Sequence, residues 1–303
     1  MSTSPLHVAC VRGYAAIVTY LLESDRIKVD VNLRDDSGRT ALYLACQNGN
    51  TNIVKYLMEL ARAHVDINIR DNHSNTPMQS ACYHGHKDIV EYFMRSDRNN
   101  VDINPRNTKG ETPPHWACRR VSSDLRYQME SNDVGAAINS NVRNNNGDTL
   151  LHLACRMICS DAEDMIAYLV QCDEIDTDSH IRTQNNDGDT PFHLLCSHRH
   201  REILPSLKLL MDVGRPNNNG NMNSDEILKI QNNDGNTPFH VACKHQKEDV
   251  IEYLLQSLKT NSSHNIQNRD GDTPFHIAFN RDLFVVLNDI TRLTRLFDFI
   301  QHQ

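Results

Sequence analysis

No apolar run in this sequence approaches the roughly 20 residues that a membrane-spanning helix needs. The first ten residues, MSTSPLHVAC, lack the charged and apolar regions of a signal peptide. Cations are not in surplus: 31 Lys and Arg stand against 39 Asp and Glu, for a net charge of -8 and a pI near 6.0. That balance excludes a general affinity for nucleic acid or anionic membrane. No glycine-rich phosphate loop, nucleophile elbow or zinc-protease helix is present, so the chain does not read as an enzyme and no cofactor is implied. These absences lead to the expectation of an intracellular, cytoplasmic protein without a membrane span, a nuclear location staying open.

What the sequence has instead is repetition. "NNDGNTPFHVAC" at 232–243 restates "NNDGDTPFHLLC" at 185–196, and "RDGDTPFHIAF" begins at Arg269. An active site needs its special residues once; text written again and again marks a structural unit. Aligned on this element, Ser4, Thr40, Thr76, Thr112, Thr149, Thr190, Thr237 and Thr273 form one column with successive spacings of 36, 36, 36, 37, 41, 47 and 36. The spacing predicts a single array over 1–303, with units starting near 4, 40, 76, 112, 149, 190, 237 and 273. Ser4 already stands in the column, so the first unit opens without a polar cap and further sequence is expected upstream. Residues 215–231, "RPNNNGNMNSDEILKIQ", read as an inserted loop, and the fourth unit has a poor second helix.

Each unit has the same local physics. A glycine just before the Thr supplies a turn that needs positive φ. The Thr is a good N-cap and a following Pro suits the first helical turn. A short helix follows, then an amphipathic second one such as "NIVKYLM" at 52–58 or "DIVEYFM" at 88–94, with apolar residues at helical spacing. The closing segments, "VDVNLRDDSGR" and "VDINIRDNHSN", read as extended arms. Neither helix can bury its apolar face alone, so neighbouring units must stack.

With "SPLHVACVRGY", "TPMQSACYHGH", "TLLHLACRM" and "TPFHVACKHQ" side by side, the chain resembles the ankyrin-repeat family. The resemblance implies an all-α solenoid of helix-turn-helix units with β-turn fingers and a concave face that binds partners. It departs from the family where charged text such as "ESDRIKVDVN" replaces the usual Gly-Ala after the second helix.

The residues that suggest chemistry mostly repeat with the units. Cys10, Cys46, Cys82, Cys118, Cys155, Cys196 and Cys243 each lie six after the column residue. Stacked helices are ~8–10 Å apart, too far for disulfides, whose Cα atoms lie within about 7 Å; a small buried hydrophobe is expected. Cys159 and Cys172 lie off this ladder and are the loose candidates for redox chemistry. His7, His115, His152, His193, His240 and His276 share a column three after the Thr, which the resemblance makes the structural His that hydrogen-bonds around the turn. "CYHGH" at 82–86 and "CSHRH" at 196–200 look like metal clusters, but alternate residues on a short helix diverge. Tyr20, Tyr56, Tyr92, Tyr168 and Tyr253 are expected to pack with peripheral hydroxyls rather than to serve as phosphorylation sites. Trp116 is either core or a contact hot spot. Asn32, Asn68 and Asn104 either hold their arms by side-chain hydrogen bonds or, as in repeats of this kind, resemble substrates of an asparagine hydroxylase.

Three classes of function stay in view: a protein-interaction scaffold, the regulatory portion of a larger receptor, channel or signalling enzyme, and an enzyme. The first is the reading adopted. In arrays of this kind partners touch the finger tips and the ends of the first helices. That helix-end column carries Tyr83, His84, Arg119, Arg120, Arg156, His198, Lys244 and His245, with no Asp or Glu. The fingers opposite contribute Asp148, Asp187, Asp189, Asp234, Asp270 and Asp272. A basic row beside an acidic fringe predicts a protein partner with an acidic or phosphorylated segment. The apolar text at 281–300, with Phe284, Leu287, Ile290, Leu293, Leu296 and Ile300 near one helical face, is expected to contact a further domain or a second copy.

Overall fold

The computed structural model describes residues 3–24, 27–60, 64–95, 101–102, 104–119, 142–156, 162–171, 177–198, 203–213, 224–257 and 265–280. The terminal apolar segment, the fourth unit's second helix, Arg120, Cys159 and Cys172 lie outside them. Among the described residues the regular structure is helical and no strand occurs. The chain divides into two compact units, Met1–Met165 and Ile166–Gln303.

In the first unit, short helices α1 (Pro5–Arg12), α3 (Ala41–Gln47), α5 (Pro77–His84), α7 (Pro113–Arg119) and α8 (Leu150–Arg156) each pack against the next. Outside them lie α2 (Ala15–Glu23), α4 (Thr51–Glu59) and α6 (Lys87–Arg95), each folded back on the preceding helix. Helix α9 (Ala162–Gln171) carries the boundary. The second unit holds α10 (Thr177–Arg182), α11 (Pro191–Ser197), α12 (Leu204–Val213), α13 (Ser224–Ile227), α14 (Pro238–Lys244), α15 (Glu248–Ser257) and α16 (Pro274–Asn280), with α11, α14 and α16 stacked in turn.

Small side chains on the inner helices allow this close stacking. Ala9, Cys10, Ala45, Cys46, Ala81 and Cys82 sit in the core of the first unit beside Leu6, Leu42 and Met78. Ile53, Val54 and Leu57 of α4, and Ile89, Val90 and Phe93 of α6, close it from outside. Each such aliphatic or aromatic side chain contributes about 1.5–3 kcal/mol on burial. The seven ladder cysteines are buried and unbridged. The first helix pair leaves the corresponding face bare. Val8 is 49% exposed and Ile17 47%, whereas their column mates Leu44 and Ile53 are 4% and 2% exposed.

Hydrogen bonds explain why the inner helices start where they do. Thr237 Oγ1 accepts from the His240 N–H, while Thr237 N–H donates to His240 Nδ1 at 3.1 Å. The same exchange recurs at Ser4–His7, Thr149–His152 and Thr273–His276. The histidine also reaches further than its own turn. His240 Nε2–H donates to the Asp272 carbonyl, His193 to Asn236 and His115 to Asp148, each a finger of the following repeat. Gln79 does the same work, accepting from Thr76 N–H and donating to the Pro105 and Glu111 carbonyls.

Each finger is an Asx turn. Asp35, Asp71, Asn107, Asn144, Asn185, Asn232 and Asn268 each accept, through Oδ1, backbone N–H groups two and four residues on. At the tip, Gly235 has φ +76°, and an added Cβ there would lie 2.7 Å from the Arg269 nitrogen. Backbone bonds join successive tips, as from Asn72 N–H to the Ser37 carbonyl and from Arg269 N–H to that of Asp234. Behind them runs a row the sequence reading missed. Arg34, Arg70 and Arg106 each bridge a carbonyl of their own finger and one at the base of the next. Gln184 and Gln231 play this part in the second unit.

Two expectations need correction. Residues 224–227 are not loop: α13 occupies Ser224–Ile227, and Ile227 and Leu228 are buried at 0% and 1% exposure. Leu228 stands three before Gln231, as Ile67 stands three before Arg70, so it is the apolar peg of its arm; 215–223 lie outside the described residues. The arms are also not simply extended, for the chain turns at Val31–Asn32 and Ile67–Asn68. The arm amides are engaged between repeats. Asn32 Nδ2 donates to the His64 carbonyl and its Oδ1 accepts from Asp66 N–H, while Asn68 Oδ1 accepts from Asp102 N–H.

Candidate functional site

The surface between the fingers and the ends of the inner helices is built by these stacking rules. In the first unit, Tyr83 at the end of α5 is 40% exposed. Its ring meets Trp116 of α7 edge-on at 5.0 Å and His84 at 5.0 Å. Trp116 Nε1–H donates to Glu111 Oε2 at 2.9 Å, and the same oxygen accepts from Asn107 Nδ2. Glu111 is buried, so the indole is tied to a fixed carboxylate. His84 Nδ1–H donates to the Ser80 carbonyl and His86 Nε2–H to that of Gln47. One nitrogen of each ring is thus bonded to a backbone carbonyl.

One repeat further along, a cavity of about 380 Å³ lies between the finger at 108–111 and that at 144–146. Leu153 and Arg156 of α8 line it, with Lys109, Asn145 and Asn146 at its edges. Arg156 faces Asp148 with both amino nitrogens, at 3.1 and 3.3 Å. The Asp148 side chain is fully buried and that of Arg156 is 41% exposed. Asp148 is thus no part of an acidic fringe; it anchors a groove cation. The reason is its column: the residue before the helix-capping Thr is turned inward against the finger amide of Asn144. Arg119 closes α7, but its side chain, like all of Arg120, lies outside what is described.

In the second unit the equivalent cavity, about 510 Å³, is lined by Lys244, Arg269, Ile277, Asp234, Asp270 and Asp272 among others. The expected basic row and acidic fringe here share one cavity instead of facing separate parts of a partner. Asp187, Asp234 and Asp270 are exposed at finger tips; Asp189 and Asp272 are half-buried. Asp189 Oδ1 accepts from Asn232 Nδ2 at 2.8 Å. His245 is exposed after α14, and His198 is half-buried at the end of α11.

The column histidines His115, His193 and His240 and the ladder cysteines are internal. Burial pushes the imidazoles of His115, His193 and His240 below their ordinary range, against the pull of nearby carbonyls and carboxylates. Burial pushes the thiols of Cys10, Cys82, Cys118 and Cys196 up to about 12, so they stand as neutral thiols. Tyr56 and Tyr92 donate their hydroxyls to Glu23 and Glu59 of the preceding repeats, as expected of packed rings with peripheral hydroxyls, whereas Tyr20 of the first repeat is 64% exposed. The reading of single units missed Lys109, Glu111, Asn145 and Arg269 as groove residues. Each joins the site only through the neighbouring repeat.

A family model described as ankyrin repeats (3 copies) matches residues 6–107, 97–181, 177–262 and 222–288. No curated protein matches the chain. Among solved structures, an ankyrin repeat domain from Acinetobacter baumannii AYE is 25% identical, with a TM-score of 0.54, covering 69% of this chain and 97% of that one. The ankyrin repeat domain of human ASB11 is 22% identical, with a TM-score of 0.61, covering 85% and 99% respectively.

Proposed function

The chain belongs to the ankyrin-repeat family, and on that premise we propose that it is a non-catalytic scaffold that captures a protein partner along its finger and inner-helix face. The observation that carries this reading is the juxtaposition of exposed Tyr83, tethered Trp116 and a polar cavity on one face of the first unit. The fingers are cross-linked by backbone and Asx hydrogen bonds, so the face is held before a partner arrives, which lowers the ordering cost of binding. The partner presents an acidic or phosphorylated segment to Arg119, Arg120, Arg156 and Lys244, and basic residues to Asp187, Asp189, Asp234, Asp270 and Asp272. Tyr83, His84, His198 and His245 complete the surface. A cytoplasmic setting fits seven buried, unbridged cysteines.

The test is affinity capture from native extract followed by cross-linking mass spectrometry. Cross-links should join the partner to residues of this face, and Arg119→Glu with Arg120→Glu should slow association, with salt weakening it over a Debye length of ~8–10 Å. Cross-links confined to the outer helices, with binding indifferent to salt and to that reversal, would place the interface elsewhere.

A second reading, the regulatory portion of a larger receptor, channel or signalling enzyme, is favoured by the bare face of the first helix pair, where Tyr14, Ile17 and Tyr20 are 53%, 47% and 64% exposed. A neighbouring domain of the same polypeptide would cover it. An immunoblot of native extract showing a product of only this chain's mass would remove that reading.

A further inference from the structure

The two halves of the first unit's groove differ in chemistry. Large exposed apolar side chains among the described residues lie in the first repeat and its arm, with one exception, Tyr83. Elsewhere the corresponding helix-end positions are Gln47, Arg156, Ser197 and Lys244, all polar. At Tyr83 and Trp116 the groove turns aromatic, and Glu111 fixes the indole by its N–H. A half-exposed tyrosine packed on a tethered indole suits an apolar anchor of a partner.

The adjoining cavity is polar and its cations are pre-set. Lys109 is exposed in its lining, and Arg156, whose side chain is 41% exposed, is clamped by buried Asp148. The cavity's bordering carboxylate, Glu111, already receives the Trp116 and Asn107 donors. Asn145 and Asn146 add amides at the finger tip. Guanidinium N–H groups, an ammonium and amides together suit a carboxylate or phosphate.

Distance links the two. Trp116 and Leu153 hold the same position on α7 and α8, which pack directly. Packed helix axes lie ~8–10 Å apart, and an extended chain advances about 3.3 Å per residue. One repeat therefore corresponds to about three residues of an extended segment. Resting on the groove reading above, we infer that this face recognises a short extended segment of a protein by two anchors about three residues apart: an apolar or aromatic side chain on Tyr83–Trp116, and an anionic group in the Lys109–Arg156 cavity. Phosphoserine and glutamate share the required chemistry.

Fluorescein-labelled peptides in a Gly-Ser background test this, with the core Trp-Ala-Ala-phosphoserine, the same core with Glu, each anchor replaced by Ala, and a doubled spacing. Fluorescence anisotropy should show binding of the spaced two-anchor peptide, and roughly tenfold or greater weakening when either anchor is lost or the spacing doubled. Tyr83→Ala and Lys109→Glu should reproduce those losses, and Tyr83→Phe should retain affinity; both positions are exposed, and thermal melts confirm that the variants fold. The glutamate arm separates a carboxylate ligand from a phosphorylated one. Failure of every peptide to bind, equal binding without one anchor, or inorganic phosphate competing as well as the peptide would overturn the inference. If a native partner nevertheless maps to the groove, the broader reading stands and only the two-anchor inference falls; a partner mapped to the outer helices removes both.

Discussion

Acidification from about pH 7.5 to about pH 5.5 should destabilise this protein through its histidine column. His115, His193 and His240 are 0%, 1% and 0% exposed. In each, Nδ1 accepts from a threonine backbone N–H and Nε2–H donates to a carbonyl of the next finger. A neutral ring satisfies both bonds; a protonated one would turn an N–H against an N–H. Burial accordingly lowers these pKa values below the ordinary 6.5. The unfolded chain then takes up protons below that value while the folded chain does not, so stability is full above it and falls as pH drops toward the depressed pKa. Each histidine contributes at most about 1.4 kcal/mol per pH unit in that window, and three together approach about 4 kcal/mol per unit. That is a large part of the ~5–15 kcal/mol typical of a domain. Urea midpoints measured across the window supply the readout. Gln79 shows the remedy, making the same set of bonds without a titratable ring. The combined His115→Gln, His193→Gln and His240→Gln variant should stay close to the parent near pH 7.5 and lose most of the pH slope. A parent whose midpoint is flat across the window, or a variant that keeps the slope, would refute the reasoning.

Three further outcomes follow from the packing. Ile53→Ala should cost about 2–5 kcal/mol in chemical unfolding, while Ile17→Ala, at the same position on the bare first pair, should cost less than about 1 kcal/mol; equal costs would contradict the burial difference. Alkylation of the native protein should leave the ladder cysteines untouched until it unfolds; rapid labelling of Cys82 and Cys196 would contradict it. Gly235→Ala should destabilise more than Gly271→Ala. Both need positive φ, but the added methyl crowds the Arg269 backbone at the first and meets nothing within 4 Å at the second.

Much of the fold was legible because its determinants are local. A Thr cap, a Pro at the first turn and a turn glycine act within a few residues, and their recurrence exposes the unit. The site was less legible because it is made between units. Arg34, Arg70 and Arg106 stand at the repeat spacing in plain sight, yet their role as carbonyl bridges exists only once the next finger is in place. Asp148 misled for a similar reason. Its charge suggested a solvated fringe, while its position before the capping Thr turned it inward to hold Arg156. Residues 224–228 misled through composition: the asparagine-rich text before them suggested a loop, but Ile227 ends a short helix and Leu228 takes the buried position that Ile67 holds in its own arm.

The central claim, that the protein works by holding a partner in its groove, is tested most directly by hydrogen–deuterium exchange on the partner-bound complex. Exchange should slow at the fingers around Lys109 and Asn145 and at the ends of α5 and α8, with the outer helices α2, α4 and α6 unchanged. Protection confined to those outer helices, with the fingers exchanging as in the free protein, would contradict it.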